Sequence, residues 1–478
     1  MPLQAAGTDR FRYDGYELEP ARARLTCRYS SGGRQFTERV TFDAGGDWEQ
    51  PAVDAAARLV FLLAGVSYYK TTAAPVVDLG DLVTTEAERG FLRTFYAEGL
   101  GEFAFRNGLD LSGLEVTGPT SAGMASTDRA PAPFEPKADH PLVPFGGGID
   151  SIVTVEHVRA AHPDTSLFVV SRSGDRFDAI EQAAAVTGLP VVRAGREIDP
   201  QLLRSAALGF LNGHVPVTGI LSAIAVMAAV LGGHDAVVMS NERSASAATV
   251  VVDGRPVNHQ WSKSLAFESA FRDQLARSLD GGPAYFSLLR ACSELWVARR
   301  FADLPGYHPA FRSCNRAFTL DRDRRADEWC GTCDKCCFID LVLAPFVAAD
   351  ALSTVFGGRE PLRDAALTDR FRALVGSGPD AKPFECVGDV DECRAAVWLA
   401  AARPDRAGTS VLRTLAAEVG AGGIDTNEID DAPADAGALL QPAGSHHVPD
   451  GYRLDLSSVD GPASANDPAP ADAPAATA

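Results

Sequence analysis

Apolar and polar positions alternate along residues 11–43 with the two-residue period of a β-strand. Thr26-Cys27-Arg28-Tyr29 and Phe36-Thr37-Glu38-Arg39-Val40-Thr41-Phe42 flank Ser30-Ser31-Gly32-Gly33, which predicts a hairpin. Residues 52–64 and 85–107 change to helical periodicity. These signals predict an α+β N-terminal domain over residues 1–120. Residues 121–140 are rich in Pro, Ala, Ser and Asp and read as a linker. The pattern then changes to short, wholly apolar runs alternating with helical stretches. Strands are expected at residues 142–145, 166–171, 189–193 and 235–240, and helices at 152–161, 176–187 and 218–231. Strands without a polar side must be covered on both faces, so the expected fold is α/β with a parallel sheet, over residues 141–345. A helical stretch at about residues 339–402 gives a C-terminal helical region, residues 346–420. Ligands of parallel sheets sit at the carboxyl ends of the strands, where Phe145, Ser171 and Ser240 fall.

Candidate chemistry starts at the first of these ends. In Val143-Pro144-Phe145-Gly146-Gly147-Gly148-Ile149-Asp150-Ser151, three glycines, an acid and a hydroxyl precede a helix. Glycines admit an anion close to the backbone, and free N–H groups at a helix start point at it. The run lacks the Gly-Lys-Ser/Thr ending of a Walker A loop and the third glycine of the dinucleotide fingerprint. It resembles the Ser-Gly-Gly-x-Asp-Ser loop of the ATP-pyrophosphatase (PP-loop) superfamily, with Gly146 where the first serine usually stands. That resemblance implies an adenine nucleotide alpha hydrolase-like fold and an ATP site at Phe145, Gly146, Gly147, Gly148, Asp150, Ser151 and Ser171. Backbone N–H groups of Gly147, Gly148 and Ile149 would hold the β- and γ-phosphates with the Ser151 hydroxyl. Asp150 would orient the loop or help place Mg²⁺. The α-phosphate would be left open to attack, giving an acyl-adenylate.

Cys330-x-x-Cys333-x-x-Cys336-Cys337 follows an upstream Cys314. Four thiolates at this spacing suit a tetrahedral Zn²⁺ site, with Cys314, Cys330, Cys333 and Cys336 as ligands and Cys337 an alternative to Cys336. An iron–sulfur cluster is also compatible. Asn212-Gly213-His214-Val215-Pro216-Val217-Thr218 resembles a nucleotide-proximal segment of the 7-cyano-7-deazaguanine synthases. Three polar runs complete the candidates: Ser240-Asn241-Glu242-Arg243-Ser244, Asn258-His259-Gln260-Trp261-Ser262-Lys263-Ser264 and Ser313-Cys314-Asn315-Arg316. Arg243, Lys263 and Arg316 suit phosphates or carboxylates.

Composition restricts the partners. The chain has 478 residues, enough for two or three domains, and a net charge of −19. An acidic body lacks the basic stripe of a nucleic-acid-binding surface, so no nucleic-acid partner is expected. From Ala421 onward there are ten acidic residues against one basic residue, Arg453, and residues 421–478 read as a disordered acidic tail. No run of eighteen apolar residues appears and the N-terminus has no signal pattern, so the expectation is a cytoplasmic protein without a membrane partner. Nothing in the sequence indicates the oligomeric state.

The motifs in combination are narrower than the superfamily. Gly65-Val66-Ser67-Tyr68-Tyr69-Lys70, the glycine loop, the polar runs and Trp329-Cys330-Gly331-Thr332-Cys333-Asp334-Lys335-Cys336-Cys337 resemble the UDP-N-acetylmuramoyl-L-alanyl-L-glutamate epimerases of peptidoglycan synthesis. The resemblance covers about residues 10–400. It implies an ATP- and Mg²⁺-dependent inversion of the terminal L-glutamate of UDP-MurNAc-L-Ala-L-Glu, with release of AMP and diphosphate. It implies catalytic roles for Asp150, Ser151, His259 and Lys263, and substrate contacts from Arg243, Trp261, Lys263 and Arg316. His259, Lys263 and a non-zinc cysteine such as Cys292 all remain open as the base. The competing readings are another adenylating enzyme (an amide- or nitrile-forming ligase, or an RNA-thiolating enzyme) and a non-catalytic nucleotide- or zinc-binding regulator.

Overall fold

A computed structural model describes residues 9–43, 45–119, 130–247, 250–252, 255–319, 321–378, 383, 385, 387–421 and 436–454. Ten strands form its central sheet: β1 (Arg10–Glu19), β2 (Arg24–Ser31), β3 (Arg34–Phe42), β4 (Val76–Asp78), β5 (Glu115–Thr117), β6 (Lys137–Pro144), β7 (Ser166–Ser171), β8 (Val191–Glu197), β9 (His234–Met239) and β10 (Ala284–Ser287). Their order is β10-β9-β6-β7-β8-β3-β2-β1-β4-β5. The five strands from β10 to β8 are mutually parallel. The fold is α/β with a mostly parallel central sheet.

Two-residue alternation in the apolar strands separates the core into two layers. Val143, Leu167, Val169, Val238 and Phe286 face one cluster. Leu142, Phe168, Val237 and Tyr285 face the other. The first cluster is closed by helices Ile149–Ala161, Asp178–Thr187 and Glu294–Ala302 and by the C-terminal helices Asp334–Leu343 and Val390–Ala401. The second is closed by Pro51–Ala64, Val217–Gly232 and Leu265–Ser278. Helices Pro51–Ala64 and Val66–Tyr69 together form the one stretch, among the described residues, long and apolar enough to cross a membrane. It is 94% buried inside the protein.

The expected hairpin joins β2 to β3, and Gly32 and Gly33 turn it with φ of +58° and +71°. The N-terminal strands do not build a sheet of their own. β3 pairs antiparallel with β8, extending the parallel sheet by five strands. Glu38 on β3 is fully buried, and Arg196 on β8 grips it with bonds of 2.7 and 3.2 Å. This seam brings N-terminal side chains to the parallel half.

The expectation of disorder beyond Ala421 fails for residues 436–454, which pack on the body. Ser293 Oγ donates to the Leu439 carbonyl at 2.5 Å, and Ala443 N–H to that of Ala291 at 2.7 Å. The Tyr452 ring stacks on His162, with centroids 4.1 Å apart. A few apolar residues in an acidic, proline-rich stretch are enough to dock it. The rest of the tail call, and the linker centre at residues 120–129, lie outside the described residues.

Candidate active site

The glycine loop leaves the carboxyl end of β6, as expected. Gly147 has φ of +74°, and a Cβ there would stand 2.6 Å from the Ala179 carbonyl oxygen. Only glycine suits both conditions. Gly146 has nothing within 4 Å of such a Cβ, so the loop has room for a serine side chain there. Gly147→Ala is expected to lower stability by about 1–3 kcal/mol, while Gly146→Ser stays within about 0.5 kcal/mol of wild type. Urea denaturation of the two variants checks this, and equal stabilities would refute the loop geometry.

Gly148 is the N-cap of helix Ile149–Ala161, and no side chain caps that end. Its first N–H groups are thus presented to the loop, an arrangement that favours an anion. The Ser151 hydroxyl donates to the Gly148 carbonyl at 3.0 Å and holds the turn. Ser171, at the end of β7, donates to the Asp175 carbonyl at 2.9 Å.

Beside the loop lies an acidic cluster. Carboxylate oxygens of Asp150, Glu242 and Glu294 lie within 4.8 Å of one another. Asp150 is in the first turn of its helix, Glu242 follows β9, and Glu294 starts helix Glu294–Ala302. Burial and then the charge of Glu242 push Asp150 up to about 6, against the pull of Lys335 and Lys263. Burial, reinforced by Asp150 and Glu242, pushes Glu294 well above the usual carboxylate range. Arg290, 2% exposed, ties the surrounding loops together. It donates to the Glu242 carbonyl at 3.0 Å, the Lys263 carbonyl at 2.7 Å and the Glu268 carboxylate at 2.9 Å.

A second cluster reaches in from the N-terminal half. His259 Nδ1 pairs with Glu102 Oε2, whose other oxygen binds Arg106 at 2.5 Å. The His214 ring lies 4.4 Å from that of His259. Burial, and secondarily His259, hold His214 down to about 4, so it is neutral at pH 7. Lys70 donates to Asn212 Oδ1 at 2.9 Å and the Gly213 carbonyl at 3.3 Å. The charge of Lys263 acts on both Asp150 and His214, linking the two clusters.

The other sequence candidates are placed as follows. Trp261 is 9% exposed and packs edge-on against Phe95 and Phe267, at 6.4 and 5.6 Å, as a core residue. Tyr68 and Tyr69 lie in the same buried layer. Arg243 follows β9, its N–H donating to the Cys292 carbonyl at 2.8 Å. Cys292 is buried, which pushes its thiol up to about 12 and makes it a poor base at neutral pH. Arg316 is exposed, on a turn that starts at Cys314. Ser313, just before that turn, abuts the glycine loop: a Cβ on Gly148 would lie 3.0 Å from Ser313 Oγ. The sequence did not single out Glu102, Glu294, Lys335 or Glu385 as site residues. Glu385 accepts from Asn315 at 3.1 Å.

Cys314, Cys330, Cys333 and Cys336 converge, with all four sulfurs within 4.8 Å. Sulfur separations of 3.7 Å (Cys330–Cys336) and 3.4 Å (Cys333–Cys336) approach the roughly 3.8 Å expected between thiolates on one tetrahedral zinc. The donor set therefore fits a structural metal. Cys336, not Cys337, completes it.

Comparison with known proteins decides the family. The family model of the MurL N-terminal domain matches residues 3–288, and that of the MurL C-terminal domain matches residues 310–429. The chain belongs to the MurL family. A relative from Xanthomonas oryzae pv. oryzae is 41% identical over 399 residues, 83% of this chain and 84% of that protein. Relatives from Salinispora tropica and Micromonospora sp. are 35% and 36% identical, over 95% and 94% of this chain and 97% and 98% of theirs. All three bear the name UDP-N-acetyl-alpha-D-muramoyl-L-alanyl-L-glutamate epimerase. No solved structure matches. The two MurL matches take in the His259 cluster, Asp150 and Glu242 of the acidic cluster, and all four metal-fitting cysteines; Glu294 lies between the two matched ranges.

Proposed function

We propose that this chain is the ATP-dependent epimerase that converts the terminal L-glutamate of UDP-MurNAc-L-Ala-L-Glu to D-glutamate through an acyl-adenylate. The observation that carries this reading is an uncapped, glycine-lined helix start beside both an acidic cluster and a carboxylate-held histidine, in a MurL-family chain. The chemistry needs these parts together. An ionised carboxylate resists loss of its α-proton, because the new negative charge would adjoin the first. Joining the carboxylate to AMP removes that obstacle. The loop N–H groups of Gly147, Gly148 and Ile149 hold the leaving diphosphate and expose the α-phosphate. Mg²⁺, held on the Asp150 side, supplies charge neutralisation for the phosphates.

His259, oriented by Glu102, exchanges the α-proton. Lys263 faces the carbonyl oxygen that gains charge as the proton leaves. Arg243 and Arg316 suit the diphosphate and carboxylates of the substrate. Water then cleaves the acyl-adenylate. Cys314, Cys330, Cys333 and Cys336 hold a structural Zn²⁺.

Purified chain with ATP, Mg²⁺ and UDP-MurNAc-L-Ala-L-Glu is expected to release AMP and diphosphate and to yield the D-glutamate isomer. In D₂O the product is expected to carry deuterium at the α-carbon. AMP release with unchanged stereochemistry would remove the epimerase reading and leave a ligase.

A further inference from the structure

The acidic cluster places more charge in one spot than its protein neighbours balance. Glu294 is 2% exposed and Glu242 8%. Glu294 Oε2 and Asp150 Oδ1 are both shut from solvent without a hydrogen-bond partner. A buried carboxylate oxygen with no donor costs several kcal/mol of lost hydration. Both residues belong to the set whose carboxylate oxygens lie within 4.8 Å of one another. A fourth carboxylate, Glu392, sits behind Glu294 and accepts its backbone N–H at 3.0 Å. Against these four acids, the cations acting on the cluster are Lys263 and Lys335. Three carboxylates this close call for added positive charge, which one divalent cation supplies.

We propose that Asp150, Glu242 and Glu294 form a protein-built site for one hard divalent cation of the Mg²⁺ or Mn²⁺ class. The donors are all carboxylate oxygens, which suit small hard ions and not thiophilic metals. They come from two helix starts and the segment after β9, three places far apart in the chain, and Arg290 holds the Glu242 backbone in place. The site therefore takes its metal before nucleotide arrives. As the cation of the proposed reaction it rests on that reading. As a binding site it stands on the geometry alone. Its consequence for the fold is specific: without metal the three carboxylates repel, so removing one should not destabilise the apo chain.

The test is Mn²⁺ binding to the full chain without nucleotide, freed of Mg²⁺ and Mn²⁺ by dialysis with the metal of the four cysteines left in place, followed by the loss of the free-Mn²⁺ electron paramagnetic resonance signal. One ion per wild-type chain is expected, with a rise in melting temperature. Glu294→Gln and Glu242→Gln should each weaken uptake by at least the roughly 10–100-fold that even an outer-shell partner costs. Each should melt at or above the wild-type apo temperature and lose the Mn²⁺-induced rise. No uptake by wild type at millimolar Mn²⁺, or wild-type affinity in both variants, overturns the site and leaves carboxylates that share protons. Mn²⁺ uptake without epimerisation would refute the proposed reaction and keep the site. Epimerisation without nucleotide-independent uptake would do the reverse.

Discussion

His259→Asn will lower epimerisation by roughly 10²–10⁴-fold, the range a positioned proton-transfer group contributes, and will leave the melting temperature close to wild type. The imidazole is held by a carboxylate. Its Nδ1 faces the Glu102 carboxylate, which only accepts, so the proton resides on Nδ1 and the lone pair on Nε2. Glu102 is itself fixed by Arg106, so the ring is oriented before substrate arrives. His214, tilted alongside and neutral at pH 7, adds no competing positive charge. Asparagine keeps a polar group near Glu102 and removes the proton acceptor. Turnover should fall with little change in KM, because the lost interaction belongs to the transition state. Chiral analysis of the released glutamate and AMP release should fall together if His259 gates the committed step. If AMP release persists while inversion stops, adenylation and proton transfer are separate functions of the site. A variant with more than half of wild-type turnover would exclude His259 as the base.

The glycine loop was legible because its features are local: a buried strand, glycines and a helix start in one short run. The hairpin at Gly32-Gly33 and the convergence of four cysteines were legible for the same reason. Glu102 and Glu294 were not. Each sits in the first turn of a helix, where an acid already has a sufficient local role against the helix dipole. Ser293 caps the second helix by accepting from the Trp296 N–H, so Ser293-Glu294 reads as an ordinary helix start. Long-range packing brings these acids to their partners, across 157 residues for Glu102 and His259: the β3–β8 seam, the parallel strand order, and helix Glu86–Gly99 against Trp261–Lys263 and Leu265–Ser278. Trp261 shows a second limit of local pattern: lying in a polar run, it read as a substrate contact, and the fold also packs its ring edge-on against Phe95 and Phe267, which no local signal announced.

Cys333→Ser will release the metal and lower the stability of the whole chain, not only of the cysteine loop. Cys333 is the N-cap of helix Asp334–Leu343, whose Cys336, Phe338, Leu341 and Val342 lie in the core layer beneath the sheet. Cys314 begins the turn whose preceding residue, Ser313, touches the glycine loop. A bound ion would therefore tie a core helix to the glycine loop across nineteen residues of chain. Zinc sites in small domains contribute on the order of 10 kcal/mol of folding free energy. A chain with its own large core should lose less, but enough to expose the loop. Metal analysis is expected to find one zinc per wild-type chain and almost none in Cys333→Ser, with a marked fall in melting temperature. Cys337→Ser supplies the contrast: its thiol lies outside the four-sulfur set, so the variant should keep its zinc. Full zinc content in Cys333→Ser would refute the ligand assignment, and a zinc-free wild-type chain of unchanged stability would refute the structural role.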